Sequence, residues 1–180
     1  MSNELKTLLL ERAVQFGDFT LASGAKSDVY VDGRLFTLSP KGNALVSKLL
    51  WERIQPLNVH AIGGMTMGAD PIVGGLIHLA GTEGSDVSGF LVRKEPKGHG
   101  TKRSVEGPRP DVESPRVVLV EDTTTTGGST IKACHRVREE WNAEVVAVFT
   151  IVDREAGAEE AYAAEGIPFH ALTTLAELRE

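Results

Sequence analysis

An α/β fold built on a mostly parallel central sheet flanked by helices follows from two features of the sequence. From about residue 59 onward, apolar runs of strand length alternate with amphipathic stretches of helix length. One run, Val117, Val118, Leu119 and Val120, is apolar at consecutive positions, the pattern of a strand buried on both faces. In such sheets ligands collect beyond the carboxyl ends of the strands. Three segments leave those ends with unusual chemistry, 63–70, 93–109 and 121–129, and they are expected to converge on one crevice.

The elements are expected in the following order. Leu5, Leu8, Leu9, Ala13 and Val14 recur at helical spacing, with Glu4, Lys6, Glu11 and Arg12 between them. Residues 19–34 are rich in Gly, Ser and β-formers and read as short strands around a turn at Ser23-Gly24. Ser39-Pro40 opens a helix, because Ser caps free amides and Pro suits the first helical position; its apolar face includes Leu45, Leu49 and Leu50. A strand over 59–63 ends in glycines, Asp70-Pro71 starts a helix running toward Leu79, and 87–93 is a strand. Strand 116–121 is followed by helix 129–141, strand 144–152, helix 156–165, strand 167–171 and a terminal helix over 173–179.

A length of 180 residues fits one domain with a real core. The net charge of −6 gives no whole-surface attraction to nucleic acid or an anionic membrane, so a phosphate site must be built locally. The single cysteine, Cys134, cannot form an internal disulfide, which is compatible with a reducing cytoplasm. The N-terminal stretch is charged and amphipathic rather than a signal peptide, and no stretch is apolar enough to span a bilayer.

Residues 117–130, VVLVEDTTTTGGST, carry the strongest signal. An apolar strand runs into two acids, Glu121 and Asp122, then into four threonines, Gly127, Gly128 and Ser129, just before a helix. The glycines let the chain turn and a ligand approach the backbone. Amides gathered at a helix N-terminus favour a phosphate. The Gly-Lys-Ser/Thr ending of a triphosphate loop is absent, and adjacent carboxylates would repel a triphosphate. They suit a sugar phosphate, whose vicinal hydroxyls donate to them and whose anomeric carbon gains positive charge in reaction.

Residues 93–109, RKEPKGHGTKRSVEGPR, form a local cationic patch containing Arg93, Lys94, Lys97, Lys102, Arg103, Arg109 and His99. Glycines and prolines break it up. Its composition fits a solvated loop, a nucleic-acid patch short of aromatics, or a mobile lid hinged at Gly98 and Gly100.

Residues 117–130 closely resemble the PRPP-binding motif (PRPP is 5-phosphoribosyl 1-diphosphate) of type I phosphoribosyltransferases. The resemblance implies that Glu121 and Asp122 bind the ribose hydroxyls and that Thr123, Thr124, Thr125, Thr126, Gly127, Gly128 and Ser129 hold the 5-phosphate. It also implies magnesium, bound mainly through PRPP oxygens and water. The sequence Arg93-Lys94-x-x-Lys97-x-His99-Gly100 resembles the catalytic loop of orotate phosphoribosyltransferases. That implies diphosphate binding by Arg93, Lys94, Lys97 and His99, with Lys97 and His99 reaching the neighbouring site of a homodimer.

Residues 19–34, FTLASGAKSDVYVDGR, resemble the same family's N-terminal hood, with Lys26 fitting a lysine of the pattern that contacts PRPP. Arg154 matches an arginine that contacts the orotate carboxylate, and Thr125 a position that also touches orotate. Residues 63–71, GGMTMGADP, match the loop after the first core strand, whose amides approach the diphosphate. Ala22 and Thr66-Met67 stand where some members carry lysine and a tyrosine-lysine pair.

The resemblance covers nearly the whole chain and weakens after about Gly157. It implies a single phosphoribosyltransferase domain over 1–180, with a small hood formed mainly by 1–36 and part of the C-terminus, and a flexible catalytic loop. The implied reaction joins PRPP and orotate in cytoplasmic pyrimidine (UMP) biosynthesis, with Lys97, His99, Glu121 and Asp122 as its catalytic groups. Neither nucleic acid nor membrane is an expected partner. Another type I phosphoribosyltransferase, taking a purine or uracil, and a non-catalytic PRPP-binding regulator are the alternative readings. Cys134 and the histidines other than His99 read as packing or solvent-facing residues, and Tyr30, Asp32 and Arg34 as neighbours of the base pocket without assigned roles.

Overall fold

A computed structural model describes residues 3–20, 26–95 and 103–180 of the chain. Helix α1 (Asn3–Arg12) leads into an antiparallel pair, β1 (Val14–Thr20) and β2 (Lys26–Val31), and then a short helix α2 (Gly33–Thr37). The core follows: α3 (Pro40–Ile54), β3 (Ala61–Met65), α4 (Asp70–Thr82), β4 (Ser88–Val92), β5 (Val105–Glu106), β6 (Arg116–Thr124), α5 (Gly128–Trp141), β7 (Glu144–Asp153), α6 (Ala158–Ala164), β8 (Phe169–Thr174) and α7 (Leu175–Arg179).

The main sheet has the order β5-β4-β3-β6-β7-β8. Every neighbouring pair is parallel except β4 with the two-residue edge strand β5. Successive strands after β3 build outward to one side, and those after β6 to the other. The order therefore reverses between β3 and β6, and a crevice opens beyond their carboxyl ends. The strand β6 explains the layering. Val118 and Val120 join the core shared with α1, α3 and α4, while Val117 and Leu119 join the core beneath α5 and α6.

Several boundaries differ from those expected. The first helix stops at Arg12, and Val14 begins a strand paired with Val31. Strand β3 runs on to Met65 through Gly63 and Gly64, because these glycines lie inside the sheet, where a Cβ on Gly63 would collide with Phe90. The buried face of α3 centres on Val46, Leu50 and Ile54, leaving Leu45 and Leu49 half-buried at its edge. Ser39 does cap α3, accepting from the Gly42 amide at 3.1 Å. At the C-terminus β8 extends to Thr174, whose hydroxyl caps α7 in a reciprocal pair with Glu177. The helix α2 and the strand β5 were not expected.

The C-terminal helix reaches back to the N-terminal segment. Lys6 Nζ donates to the Glu177 carbonyl at 2.8 Å, and Arg179 pairs with Asp28. Among the described residues no helix is long and apolar enough to cross a membrane.

Candidate active site

The strand β6 ends in Glu121 and Asp122, and two glycines from separate elements close over them. A Cβ on Gly33, at the start of α2, would lie 2.7 Å from both Cβ and Oδ2 of Asp122. A Cβ on Gly68, in the β3–α4 loop, would lie 2.7 Å from Asp122 Oδ1 and closer still to Glu121 Oε1. Only side-chain-free residues allow this approach. Each acid has a further tether: Thr130 Oγ1 donates to Glu121 Oε2 at 2.8 Å, and Asp122 Oδ1 accepts from the Thr123 amide at 2.8 Å.

Burial raises the Glu121 carboxyl well above the ordinary range, and the charge on Asp122 adds to this against the pull of the Thr130 hydroxyl. Asp122 is raised as well, by burial first, while Glu121, the Thr123 amide and Arg34 oppose the rise. Two carboxyls so close in a half-dry site cannot both ionise easily, so the pair retains a proton toward neutral pH.

Beyond the acids the chain enters the turn before α5. Gly127 takes a left-handed φ of 75°, and α5 starts with no side-chain cap, so its first amides face outward. Glu121 and the run from Thr123 to Thr130 enclose a polar recess of about 120 Å³. Beneath it the Tyr162 ring packs on Gly127, with its buried hydroxyl beside Thr130 and Thr124.

The recess adjoins a larger cleft of about 510 Å³. The β1–β2 side contributes Tyr30 and Val31, the β3–α4 loop Thr66, Met67 and Gly68, and β6 with its loop the acids, Thr123, Thr125 and Ser129. The end of β7 contributes Arg154, whose amide donates to the Thr124 carbonyl at 2.9 Å and whose Nη2 lies 3.5 Å from Ser27 Oγ. Arg34 and Lys94 complete the cations of the lining among the described residues.

The crevice thus brings together a strand-end acid pair, a polar recess and a cleft lined by three cations. The phosphoribosyl transferase domain family matches residues 38–168. An orotate phosphoribosyltransferase from Corynebacterium glutamicum (strain R) is 45% identical over 175 residues, spanning 97% of this chain and 92% of the relative. The chain belongs to the orotate phosphoribosyltransferase family. A solved phosphoribosyltransferase from Corynebacterium diphtheriae superposes with a TM-score of 0.83 at 40% identity, covering 98% of this chain and 97% of the other. The Mycobacterium tuberculosis orotate phosphoribosyltransferase in complex with PRPP superposes at 0.79 with 34% identity, covering 98% of each chain.

Of the residues that family resemblance singled out, Lys94, Glu121, Asp122, Thr123, Thr125, Ser129 and Arg154 line the cleft, and Thr124, Thr126, Gly127 and Gly128 line the recess. Two stand apart. Lys26 Nζ donates to Thr20 Oγ1 at 2.9 Å on the β1–β2 pair, in a separate hollow with Asp18 and Asp28. Arg93 Nε is paired with Glu106 at 2.8 Å. Lys97 and His99 lie outside the described residues, as do the hinge glycines and the expected turn at Ser23-Gly24.

The basic segment is also shorter than expected as a free loop. Ser104 and Val105 are buried, and Glu140 accepts the Ser104 amide at 2.8 Å, its hydroxyl at 2.6 Å and the Val105 amide at 3.2 Å. Arg109 is spent on the carbonyls of Pro110, Glu113 and Trp141. On the other side Arg136 donates to the carbonyls of Arg93 and Lys94. Both ends of the segment are thus fastened by α5. Sequence reasoning missed these anchors, together with Tyr162 and the approach of Gly33 and Gly68 to the acids. Thr130 and Gly68 lay inside the quoted segments 117–130 and 63–71 but carried no separate role there.

Proposed function

We propose that this chain transfers the 5-phosphoribosyl group of PRPP to orotate, giving orotidine 5-phosphate and diphosphate in de novo UMP synthesis in the cytoplasm. The observation that carries this reading is the acid pair at the tip of β6, shared between an amide-lined recess and a cleft that also holds Arg154. The recess suits the 5-phosphate, held by amides and hydroxyls from Thr123 to Ser129. Asp122 and Glu121 then face the ribose hydroxyls and the anomeric carbon. Arg154 offers a guanidinium fork to the orotate carboxylate, beside Thr125.

In the reaction a ring nitrogen of orotate forms a bond to the anomeric carbon as the carbon–oxygen bond to diphosphate breaks. Diphosphate leaves with the electron pair, and the proton of the nitrogen is lost to solvent because orotate reacts as its ring anion. Positive charge builds on the sugar in the transition state, and a carboxylate at the ribose stabilises it. Lys94, Lys97 and His99, with Arg93 if it exchanges Glu106 for the ligand, neutralise the departing diphosphate. The remaining role of the cleft is orientation and exclusion of water.

The donors available here, carboxylates and hydroxyls, are hard oxygen ligands that fit magnesium, with Asp122 the less buried member of the pair. Among the described residues no group of three or more His, Cys, Asp or Glu side chains could hold a metal ion. Such an ion would offset diphosphate charge when bound.

The reading includes one domain over 1–180, with a hood from 1–36 and part of the C-terminus. Contacts of Lys6 with Glu177 and of Arg179 with Asp28 support it. It also includes a homodimer in which the basic segment serves the neighbouring site. Exposed Leu35, Leu38 and Met67 border a largely apolar groove beside the cleft, a surface that a second copy would cover.

The test is ultraviolet monitoring of orotate loss with PRPP and magnesium, alongside uracil, adenine, hypoxanthine and xanthine. Consumption of orotate alone is expected. Turnover of another base in its place would overturn the acceptor, and no turnover of any base would overturn the enzyme.

A further inference from the structure

We infer that Arg34 is a diphosphate-binding residue of this cleft, a role that rests on the cleft being the PRPP site. The three cations lining the cleft are not equivalent. Arg154 stands beside Ser27 and Thr124, next to the mouth of the phosphate recess. Arg34 instead borders the β3–α4 loop: it and Met67 line both the cleft and the adjoining groove, which Arg154 does not reach. That loop, Thr66, Met67, Gly68 and Ala69, offers backbone, a hydroxyl and a thioether but no cation of its own. With the 5-phosphate in its recess and the ribose on the acids, the two substituents of the anomeric carbon must leave in different directions. The base goes toward Arg154 and Tyr30. The diphosphate, on the same reading, goes toward Gly68 and Met67, between Lys94 on the β4 side and Arg34 on the groove side.

The guanidinium is held in advance for such a ligand. Asp32 grips it through two parallel bonds, Nε to Oδ1 and Nη2 to Oδ2, both 3.0 Å. The same carboxylate caps α2 by accepting the Arg34 amide at 3.1 Å, which ties the side chain to the helix that covers Asp122. The clamp uses two of five N–H donors, leaving the rest of the fork for an anion. The half-exposed side chain lines the same cleft as Asp122 and feels its charge. Without Arg34, Asp32 would lose its partner, and among the described residues Lys94 would be left as the cation of the lining available to the leaving group.

The experiment compares the full-length wild type with Arg34→Ala and Arg34→Lys, measuring KM for PRPP, KM for orotate, and calorimetric binding of inorganic diphosphate with magnesium. Loss of a charge-assisted contact should raise the PRPP KM and the diphosphate Kd by about tenfold or more, with the orotate KM changed by less than about twofold. Lysine should recover only part, because an ammonium lacks the fork. Unchanged diphosphate binding in Arg34→Ala, or an increase confined to the orotate KM, would overturn the inference while wild-type orotate turnover kept the parent reading intact. A wild type inert toward orotate and PRPP would overturn both.

Discussion

Gly68→Ala adds one methyl group at the point where the β3–α4 loop crosses the acid pair. That methyl would sit 2.7 Å from Asp122 Oδ1 and nearer to Glu121 Oε1. Ordinary contact needs about 3.5 Å, so the carboxyl groups or the loop must retreat by roughly 1 Å. Neither acid can swing away at no cost. Glu121 is held by Thr130, Asp122 by the Thr123 amide, and Gly33 blocks the far side of Asp122. Overpacking of this kind costs about 1–3 kcal/mol of stability. The larger effect should be kinetic, since misplacing a catalytic group by about 1 Å costs on the order of 100-fold, close to 2.7 kcal/mol of activation free energy. Steady-state assays should show kcat/KM for PRPP down by that order, with melting lowered by only a few degrees. A folded Gly68→Ala enzyme within about threefold of wild type would refute the claim that the glycine fixes the acids.

The pH dependence of stability tests the buried proton. Glu121 rises from its ordinary 4.5 to about 8, so between those values the folded chain keeps a proton that the unfolded chain has released. Stability is therefore greatest below the ordinary value and falls as pH climbs through the raised one, by an amount on the order of a few kcal/mol. Urea midpoints from pH 5 to 8.5 should fall for the wild type and fall less for Glu121→Gln; equal slopes would contradict the assignment. Glu140→Ala removes the carboxylate that pins Ser104 and Val105, and should cost about 1 kcal/mol at this partly exposed site. If the segment it fastens is the lid, PRPP KM rises several-fold; an unchanged KM together with unchanged tryptic cleavage near Lys94 and Arg103 would argue against that anchor. Tyr162→Phe deletes a buried hydroxyl that makes no well-formed hydrogen bond, so stability should move by less than about 1 kcal/mol. Tyr162→Ala opens a void under Gly127 and should cost about 3–5 kcal/mol by urea unfolding. A large loss in the Phe variant would show that the hydroxyl carries the loop.

Much of the fold could be read from local chemistry. Ser39-Pro40 marked the start of α3 because capping and a fixed proline φ are decided within four residues. The run from Val117 to Val120 marked β6 because a strand covered on both faces needs no polar alternation. The misses are elements whose reasons lie far away in sequence. β5 is two residues long and exists because β4 pairs with it and Glu140 satisfies its amides. α2 is too short to show a period, and it follows from the Asp32 cap and from packing on β6. The glycines of β3 looked like terminators, but they make room for Phe90 and for the β6 backbone.

The site divides in the same way. Its charged and donor groups stood out as residue types, whereas the parts that tune them, Gly33, Gly68, Thr130 and Asp32, are ordinary residues made important by contact. Those contacts also bear on how a protein of net charge −6 could accept a polyanion. Three carboxylates, Asp32, Glu121 and Asp122, face three cations in the cleft. If all three were ionised the field would be neutral. Burial keeps a proton on the acid pair, and Asp32 is committed to orienting Arg34. The cleft therefore carries a positive excess where phosphates must enter, and a carboxylate remains beside the sugar, where positive charge develops. Removing the buried proton, by raising pH or by opening the site to water, should weaken PRPP binding before it alters the orotate contact proposed for Arg154. A PRPP KM that stayed flat from pH 6.5 to 9 while the enzyme remained folded would count against this division of charge.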